Sequence, residues 1–265
     1  MTGDEKIIFL LTILCVSCED VVTIDLPKAD DQIVIDAELG RPQGGGMATL
    51  RVLVTKTTDF YSSEILSVDH ASVSLEYDNE VFTANHVEDG LYTLDIPEIT
   101  TDRQYQLIVD VDGVSYTAKE ELILSGTFDS AIQGDGQLFS GNETEVLITL
   151  TDLPGLGNFY LFDFSDNNLF VTRDRFYDGQ PFTFSFFYDE LFPKNEEVTI
   201  RMVGIDEAFF TYMQILLSHS GQSGGGPFAT ATSTLLGNFT SSTEVDVALG
   251  YFRVVEYSSL PFTAE

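Results

Sequence analysis

The chain has 265 residues and a formal net charge of −31, with 12 basic residues against 43 acidic ones. So few cations among so many anions cannot neutralise a phosphate backbone, which excludes nucleic acid as a partner. With 43% hydrophobic and 12% aromatic residues, the chain can still bury sizeable hydrophobic cores, which argues against global disorder.

The first feature along the chain is an apolar run from Ile7 to Val16 that leads into Cys18. As a helix the run would be about 15 Å long, half the hydrocarbon thickness of a bilayer, so it is too short to span a membrane. Its length and position fit a secretory signal peptide, which we place at residues 1–17. Val16, Ser17 and Cys18 resemble the last three places of a bacterial lipobox, in which the cysteine receives the lipid.

The match to the lipobox has two departures. Cys15 stands where leucine is usual, and Lys6 is the only basic residue before the apolar run. The alternative explanation is a buried N-terminal strand or a disulfide between Cys15 and Cys18. We expect lipidation of Cys18, which would leave a mature chain without a free thiol or a disulfide. Residues 18–31 would then be the tether.

Beyond the tether, apolar and polar residues alternate in short segments separated by turn residues, a pattern typical of β-strands. Asp78-Asn79 and Asp112-Gly113 lie between such segments, and these pairs tolerate the positive φ of a tight hairpin. Seven strands in about ninety residues predict an Ig-like or fibronectin-III-like β-sandwich over residues 32–124. The strands are expected at residues 32–39, 49–56, 71–77, 80–85, 91–96, 104–111 and 114–124.

The polar, glycine-rich segment 125–145 predicts a boundary near Leu124, followed by a second antiparallel β domain over residues 125–265. One stretch of this domain has apolar residues at helical spacing, which predicts a helix at about residues 206–220 with Asp206 as its cap and Gly221 at its end. The predicted fold class is therefore mainly β with one helix. The other strands are expected at residues 145–151, 158–163, 182–188, 197–204 and 247–256.

Both ends of the chain carry recognisable stretches. SCEDVVTIDLP, followed by QIVIDAEL, lies near the N-terminus; the C-terminal part holds the helix, a Ser/Gly-rich linker, the dipeptide Gly237-Asn238 and LGYF at residues 249–252. Together they resemble the Bacteroidota lipoproteins of domain-of-unknown-function family 4249. The resemblance implies a surface-directed outer-membrane lipoprotein, often encoded beside TonB-dependent transporters, and it carries no established catalytic residues.

The resemblance also bears on where the lipoprotein is delivered. Glu19 and Asp20, directly after the lipidated cysteine, resemble the acidic export signal by which such lipoproteins reach the cell exterior. The later acidic positions of that signal are Val21 and Val22 in this chain. The export signal is thus expected to consist of Glu19 and Asp20 alone.

One short motif resembles a catalytic one. GQSGG at residues 221–225 matches the G-x-S-x-G pattern of a serine nucleophile, with Ser223 at its centre and His219 nearby. That pattern serves catalysis on a turn from a strand to a helix, with the histidine later in the chain. Here a helix precedes the serine and no histidine follows His219. We therefore interpret the segment as a linker and predict that the protein is not an enzyme.

No metal or cofactor is expected from the sequence. Three scattered histidines do not have the spacing of a zinc site. DVDG at residues 110–113 lacks the later ligands of a calcium loop and fits a hairpin turn. DFSDNN at residues 163–168 could offer oxygens to calcium, but aspartate and asparagine are also ordinary turn residues.

The aromatic segment 175–192 raises the possibility of ligand binding. Every second residue from Phe182 to Tyr188 is a large aromatic, which predicts the core face of a strand. The functional alternative is a stacking platform for a peptide or a glycan, with Phe187 and Tyr177 as candidate contacts. Because the chain has no tryptophan, a peptide or another apolar ligand fits better than a glycan.

These features together predict a lipid-anchored protein of the outer membrane or cell surface that meets the membrane through its anchor alone. We expect it to be an accessory or ligand-capture subunit of a TonB-dependent nutrient transporter. The alternative is a structural or adhesive envelope lipoprotein without a transport role. A hydrolase that uses Ser223 is the third hypothesis.

Overall fold

The computed structural model describes most of the chain beyond the predicted tether. Residues 31–265 form one compact unit. Within the described ranges, no helix is both long enough and apolar enough to cross a membrane. The described residues are 31–58, 62, 64–136, 138, 141–220, 235–243 and 245–265.

The described part of the chain is mainly β with one helix, α1 (Glu207–His219), as predicted. Each strand predicted from the sequence has a counterpart in the structure. The strands are β1 (Ile33–Pro42), β2 (Ala48–Lys56), β3 (Leu66–Ser67), β4 (Ser72–Tyr77), β5 (Glu80–Thr83), β6 (Asn85–Glu88), β7 (Leu91–Ile96), β8 (Gln104–Val111), β9 (Val114–Glu121), β10 (Thr127–Gln133), β11 (Thr144–Thr151), β12 (Phe159–Asp163), β13 (Leu169–Arg173), β14 (Pro181–Tyr188), β15 (Glu197–Ile205), β16 (Thr240–Ser241) and β17 (Leu249–Thr263).

Five of these strands were not predicted: β3, β6, β10, β13 and β16. β3 and β16 have two residues each, and all four residues of β6 are exposed, so none of the three presents an alternating pattern. β10 lies inside the polar, glycine-rich segment 125–145 that follows the predicted boundary near Leu124. Its pairing with β11, across a register shift between Phe128 and Ser130, holds it in a strand despite its composition.

Two of the predicted hairpin turns have the expected backbone. Asp78 and Asn79 have φ of 52° and 63° between β4 and β5, and Asp112 and Gly113 have φ of 52° and 86° between β8 and β9. Positive φ at both central residues matches the right-handed twist of the flanking strands. The DVDG sequence at residues 110–113 is therefore a hairpin turn.

The largest sheet has nine strands in the order β13-β12-β15-β17-β1-β2-β7-β6, with β3 paired to β2. Its neighbours are antiparallel except β1 and β17, which run parallel with Glu38 opposite Arg253. This pairing joins two segments about 215 residues apart in the chain and places the first and last long strands side by side in the middle of the sheet.

One face of the large sheet carries two hydrophobic cores. The first core lies under the five-stranded sheet β16-β9-β8-β4-β5, and the second under the three-stranded sheet β10-β11-β14. Apolar residues at alternating positions of the strands fill both cores. The first contains Ile35, Leu50, Val73, Leu107 and Phe252, and the second contains Val146, Ile148, Tyr160, Phe162 and Phe262.

The first core is built mainly from residues before Leu124 and the second from residues after it, and both cores lie on the same large sheet. β17 has 15 residues and is therefore about 50 Å long, and it contributes Phe252 to the first core and Phe262 to the second. A buried ion pair of 2.9 Å between Arg41 and Glu256 lies where the two halves meet. Residues 32–124 and the part of the chain that follows them are thus joined through a shared sheet.

The opposite face of the large sheet is partly covered by α1. The helix begins where the carboxylate of Asp206 accepts a hydrogen bond of 2.7 Å from the backbone N–H of Phe209, as predicted for its cap. Phe210 and Met213 pack onto Leu161 and Val203 of the sheet. Gly221, predicted to end the helix, lies outside the described residues.

Candidate functional site

Helix α1 covers only part of the face of the large sheet that lies opposite the two cores. The uncovered part of that face forms an open pocket of about 690 Å³, here called the sheet pocket. Along β1, Ile35, Ala37 and Leu39 point into the first core, so Asp36 and Glu38 point to the opposite side and into the pocket. The alternation of apolar and acidic residues in β1 therefore builds both a core and a charged surface.

Glu38 lies at the centre of the pocket floor between two arginines. Arg253 donates to Glu38 through Nε at 2.9 Å, and Arg201 donates through Nη2 at 2.5 Å and Nη1 at 3.2 Å. Arg253 also donates through Nη1 to Asp36 at 2.7 Å. The side chain of Glu38 is only 12% exposed, so one carboxylate holds two guanidinium groups at the surface of the sheet.

The arginines determine the charge of Glu38. Burial by itself would raise the pKa of this carboxyl, but the positive charges of Arg253 and Arg201 and their hydrogen bonds outweigh burial and lower the pKa to about 2. Burial likewise opposes the charge of Arg253, yet Asp36 and Glu38 raise its pKa above the usual arginine value. Glu38 and Arg253 are therefore both charged at neutral pH.

Aromatic rings fix the two guanidinium groups in place. Arg201 lies 4.1 Å from the ring centroid of Tyr257, and Arg253 lies 5.2 Å from that of Phe209 on α1. A second hollow of about 460 Å³, between α1 and the sheet, shares Asp36, Glu38 and both arginines with the sheet pocket. These four charged residues thus lie between two neighbouring concave surfaces and line both of them.

A third arginine, Arg51, enters the pocket from β2, where it lies opposite Glu38 in the antiparallel ladder. Its side chain is exposed, and within the described residues it makes no ion pair or hydrogen bond. Leu53 and Leu91 form an apolar cross-strand pair beside it, and Glu88 and Asp89 form the acidic rim. The pocket therefore combines a basic floor, an apolar patch and an acidic edge.

None of the residues that form this floor was singled out from the sequence. Glu38 is 163 residues from Arg201 and 215 residues from Arg253, and spacing within the sequence cannot indicate such pairs. The one available signal was the alternation in VIDAEL, which places Asp36 and Glu38 on the same side of a strand.

The aromatic candidates lie elsewhere. Alternate aromatics from Phe182 to Tyr188 pack in the second core, as predicted for the core face of β14. Tyr177 is buried and stacks on Phe182 with ring centroids 4.3 Å apart, so the core occupies the ring face that a ligand would need. Phe187 is half-buried on the opposite side of β14, and neither residue lines the sheet pocket.

The remaining predicted sites fall outside the described residues. Cys18, with Val16, Ser17, Glu19 and Asp20, precedes residue 31, and Ser223 lies within the undescribed segment 221–234. His219 is exposed at the end of α1. The other two histidines are also at the surface, where His70 and His86 each contact one aspartate, Asp112 at 3.0 Å and Asp69 at 3.1 Å.

An acidic cluster that was not anticipated joins two loops of the second half. Carboxylate oxygens of Asp152, Asp174 and Asp178 lie within 4.8 Å of one another, close enough to share a metal ion. Each carboxylate accepts a hydrogen bond from a loop glycine, for example that of Asp178 from the backbone N–H of Gly155 at 2.7 Å. The cluster therefore has a structural role in bracing these loops. The DFSDNN sequence at residues 163–168 forms the turn between β12 and β13.

The Gly237-Asn238 dipeptide closes the segment before β17 onto the sheet. The side chain of Asn238 accepts from the backbone N–H of Phe252 at 2.9 Å and donates to its carbonyl at 2.8 Å, so it pairs with β17 as a neighbouring strand would. Its amide also donates to Glu120 at 2.6 Å. Gly237 lies against the backbone of Gly250, the glycine of LGYF, where a side chain does not fit.

Glu120, which accepts this hydrogen bond from Asn238, lies where its negative charge is disfavoured. Burial raises its pKa to about 7, the hydrogen bond from Asn238 opposes this rise, and the negative charges of Asp206 and Glu121 add to it. The folded state thus binds this proton more tightly than the unfolded state does. Stability is therefore lost as the pH rises from about 4.5 to about 7.

We predict that Glu120→Gln removes this loss, because the amide keeps the hydrogen bond to Asn238 without the charge. Below pH 4.5 the variant should have the same free energy of unfolding as the wild type. Above pH 7 its free energy of unfolding should be higher by about 1 kcal/mol, a small difference because Glu120 is partly exposed and solvent screens its charge. Urea denaturation at several pH values measures the difference. Glu121→Gln is the exposed control, and a difference that does not change with pH would contradict the prediction.

No curated protein matches the sequence. Among solved structures, red sea bream transglutaminase aligns over 88% of this chain at 7% identity with a TM-score of 0.22, which is too low to indicate a shared fold. The chain spans 32% of that protein's length. Residues 19–260 match the family described as Domain of unknown function (DUF4249), and the chain therefore belongs to this family.

Proposed function

We propose that this chain is a lipid-anchored outer-membrane protein that captures a ligand as an accessory subunit of a TonB-dependent transporter. The observation that carries the ligand-capture role is the sheet pocket, whose volume of about 690 Å³ lies in the range of known small-molecule sites. The pocket brings three of the chain's few basic residues together in a chain of net charge −31, which favours a specific ligand over general attraction.

Two further observations support the anchoring role. The family match starts at residue 19, the residue directly after the proposed lipidation site Cys18. The first strand starts at Ile33, so residues 18–31 would serve in this proposal as a tether of up to about 45 Å. Tethering would hold the pocket near a transporter at an effective concentration of about a millimolar.

We predict that Cys18→Ser moves the protein from the membrane fraction to the soluble fraction, because no other group in the proposed scheme would anchor it. Fractionation and mass spectrometry of the purified native protein measure this change.

The accessory role is tested separately. Affinity capture from solubilised outer membranes should recover a TonB-dependent transporter with the wild-type chain.

Cys15→Ser is the matched control, because Cys15 would leave with the signal peptide and its replacement should change neither location nor modification. An unmodified residue 18 that still carries the preceding seventeen residues would reject the anchor. Repeated recovery without any transporter would reject the accessory role. A deletion strain that grows normally on peptide sources would then favour the adhesive alternative.

A further inference from the structure

Arg51 differs from the other two arginines of the sheet pocket in the contacts that the described residues offer it. Arg201 and Arg253 are bound to carboxylates, whereas Arg51, opposite Glu38 on β2, has no ionic partner among the described residues. Of the four carboxylates that line the pocket, Asp36 and Glu38 are bound to Arg201 and Arg253, and the other two lie at the rim. An anionic group of a ligand could therefore bind Arg51 without displacing an ion pair of the floor.

Carboxylates match this geometry best. A guanidinium presents a planar fork of donors that can bind both oxygens of a carboxylate at once. Glu38, held by two arginines, already shows that this floor accepts a carboxylate in such an arrangement. Arg51 lies beside it on the neighbouring strand, where a ligand carboxylate would extend the same alternating row of charges.

The surroundings of Arg51 indicate what the carboxylate is attached to. Leu53, two residues along β2, and its cross-strand partner Leu91 form an apolar surface next to the guanidinium. Glu88 pairs with Leu91 on the following strand and presents a carboxylate to the same pocket. A ligand that follows this path would carry an anion, an apolar group and a cation in that order.

The spacing gives the length of that ligand. The path from Arg51 to Glu88 runs two residues along β2 and then crosses two strand separations, from β2 to β7 and from β7 to β6. The Cα atoms of the two residues therefore lie about 12 Å apart. An extended peptide spans this distance in about three or four residues. Its C-terminal carboxylate and its N-terminal amine would supply the two charges, and its side chains would cover the apolar pair.

We infer that the sheet pocket binds short peptides with a free C-terminus, with Arg51 binding the terminal carboxylate and Glu88 facing the amine. This inference rests on the ligand-capture role proposed above and specifies its ligand class. It assigns Arg51 as the residue that determines specificity for the free carboxylate.

Calorimetric titration of the full, detergent-solubilised chain with the tripeptide Ala-Ala-Leu tests the inference. We expect saturable binding that weakens at least tenfold in Arg51→Gln and at least tenfold when the peptide carries a C-terminal amide. N-acetylation should weaken binding less, because an ammonium group that faces an exposed carboxylate lacks the paired hydrogen bonds of a guanidinium–carboxylate contact. The amide needs no protein variant, so it tests the inference even if the substitution alters folding.

Arg175→Gln is the matched control, since Arg175 is also exposed and unpaired among the described residues but lies outside the pocket. The inference would be overturned if the tripeptide and its C-terminal amide bound equally well. It would also be overturned if Arg51→Gln and Arg175→Gln weakened binding equally. The absence of any binding would overturn it as well.

Two further ligands distinguish the sources of an anionic group. Inorganic phosphate and a trigalacturonic acid are titrated under the same conditions, and either one binding while the tripeptide does not would overturn the peptide assignment. Peptide binding without recovery of a transporter would reject the accessory role alone. Transporter recovery without peptide binding would reject this inference alone.

Discussion

Glu38→Gln is expected to lower the free energy of unfolding by about 3 kcal/mol at neutral pH, because it leaves two guanidinium groups close together on the sheet without their shared carboxylate. The amide has nearly the same shape and can still accept one hydrogen bond, so the loss would report charge rather than packing. Urea denaturation of the purified chain measures it.

The pH dependence makes this prediction specific. The pKa of Glu38 is lowered to about 2 in the folded state from an ordinary value of 4.5, so its stabilising contribution is present above about pH 4.5 and is lost as the pH falls towards 2. The difference between the wild type and Glu38→Gln should shrink over the same interval.

Asp36→Asn is the control within the same network. The side chain of Asp36 is 59% exposed, and an exposed ion pair contributes at most about 1 kcal/mol. Equal losses in the two variants, or a loss for Glu38→Gln that stays constant down to pH 2, would show that the floor is not held together by its central carboxylate.

Gly237→Ala is expected to destabilise the chain by about 3 kcal/mol, near the upper end for inserting a group into a packed site. A Cβ at this position would overlap the carbonyl oxygen of Gly250, so the two backbone segments would have to separate. Separation would also break the hydrogen bonds between Asn238 and Phe252. Thermal unfolding, followed by circular dichroism, measures the effect.

Leu236→Ala is the neighbouring control, because Leu236 is 58% exposed and its truncation should change stability little. If Gly237→Ala unfolded at the wild-type temperature, the segment before β17 would not be packed against the sheet. The Gly237-Asn238 and LGYF stretches would then need an explanation other than their mutual contact.

Much of the local structure follows from local sequence. Alternation predicted the long strands, because a strand with one buried face needs an apolar residue at every second position. Asp206 and the helical spacing after it predicted α1 to within a residue at each end. β10 was missed because its pairing partner, and not its own composition, decides that it is a strand.

The pocket could not be predicted in the same way. Asp36 and Glu38 belong to a strand near the start of the described chain, and their partners Arg201 and Arg253 belong to strands near its end. A charged residue on the exposed side of a strand looks the same in the sequence whether it faces water or an arginine. The aromatic segment drew attention instead, and its side chains proved to fill the second core.

The sequence by itself determined the class of this protein: a mainly β chain with one capped helix, because periodicity and capping act between near neighbours. The tertiary structure decided that β17 lies parallel to β1 and spans both cores, and that three arginines meet around Glu38. The physical reason is that pairing between distant strands depends on the fit of whole faces and edges, which no short stretch of sequence contains.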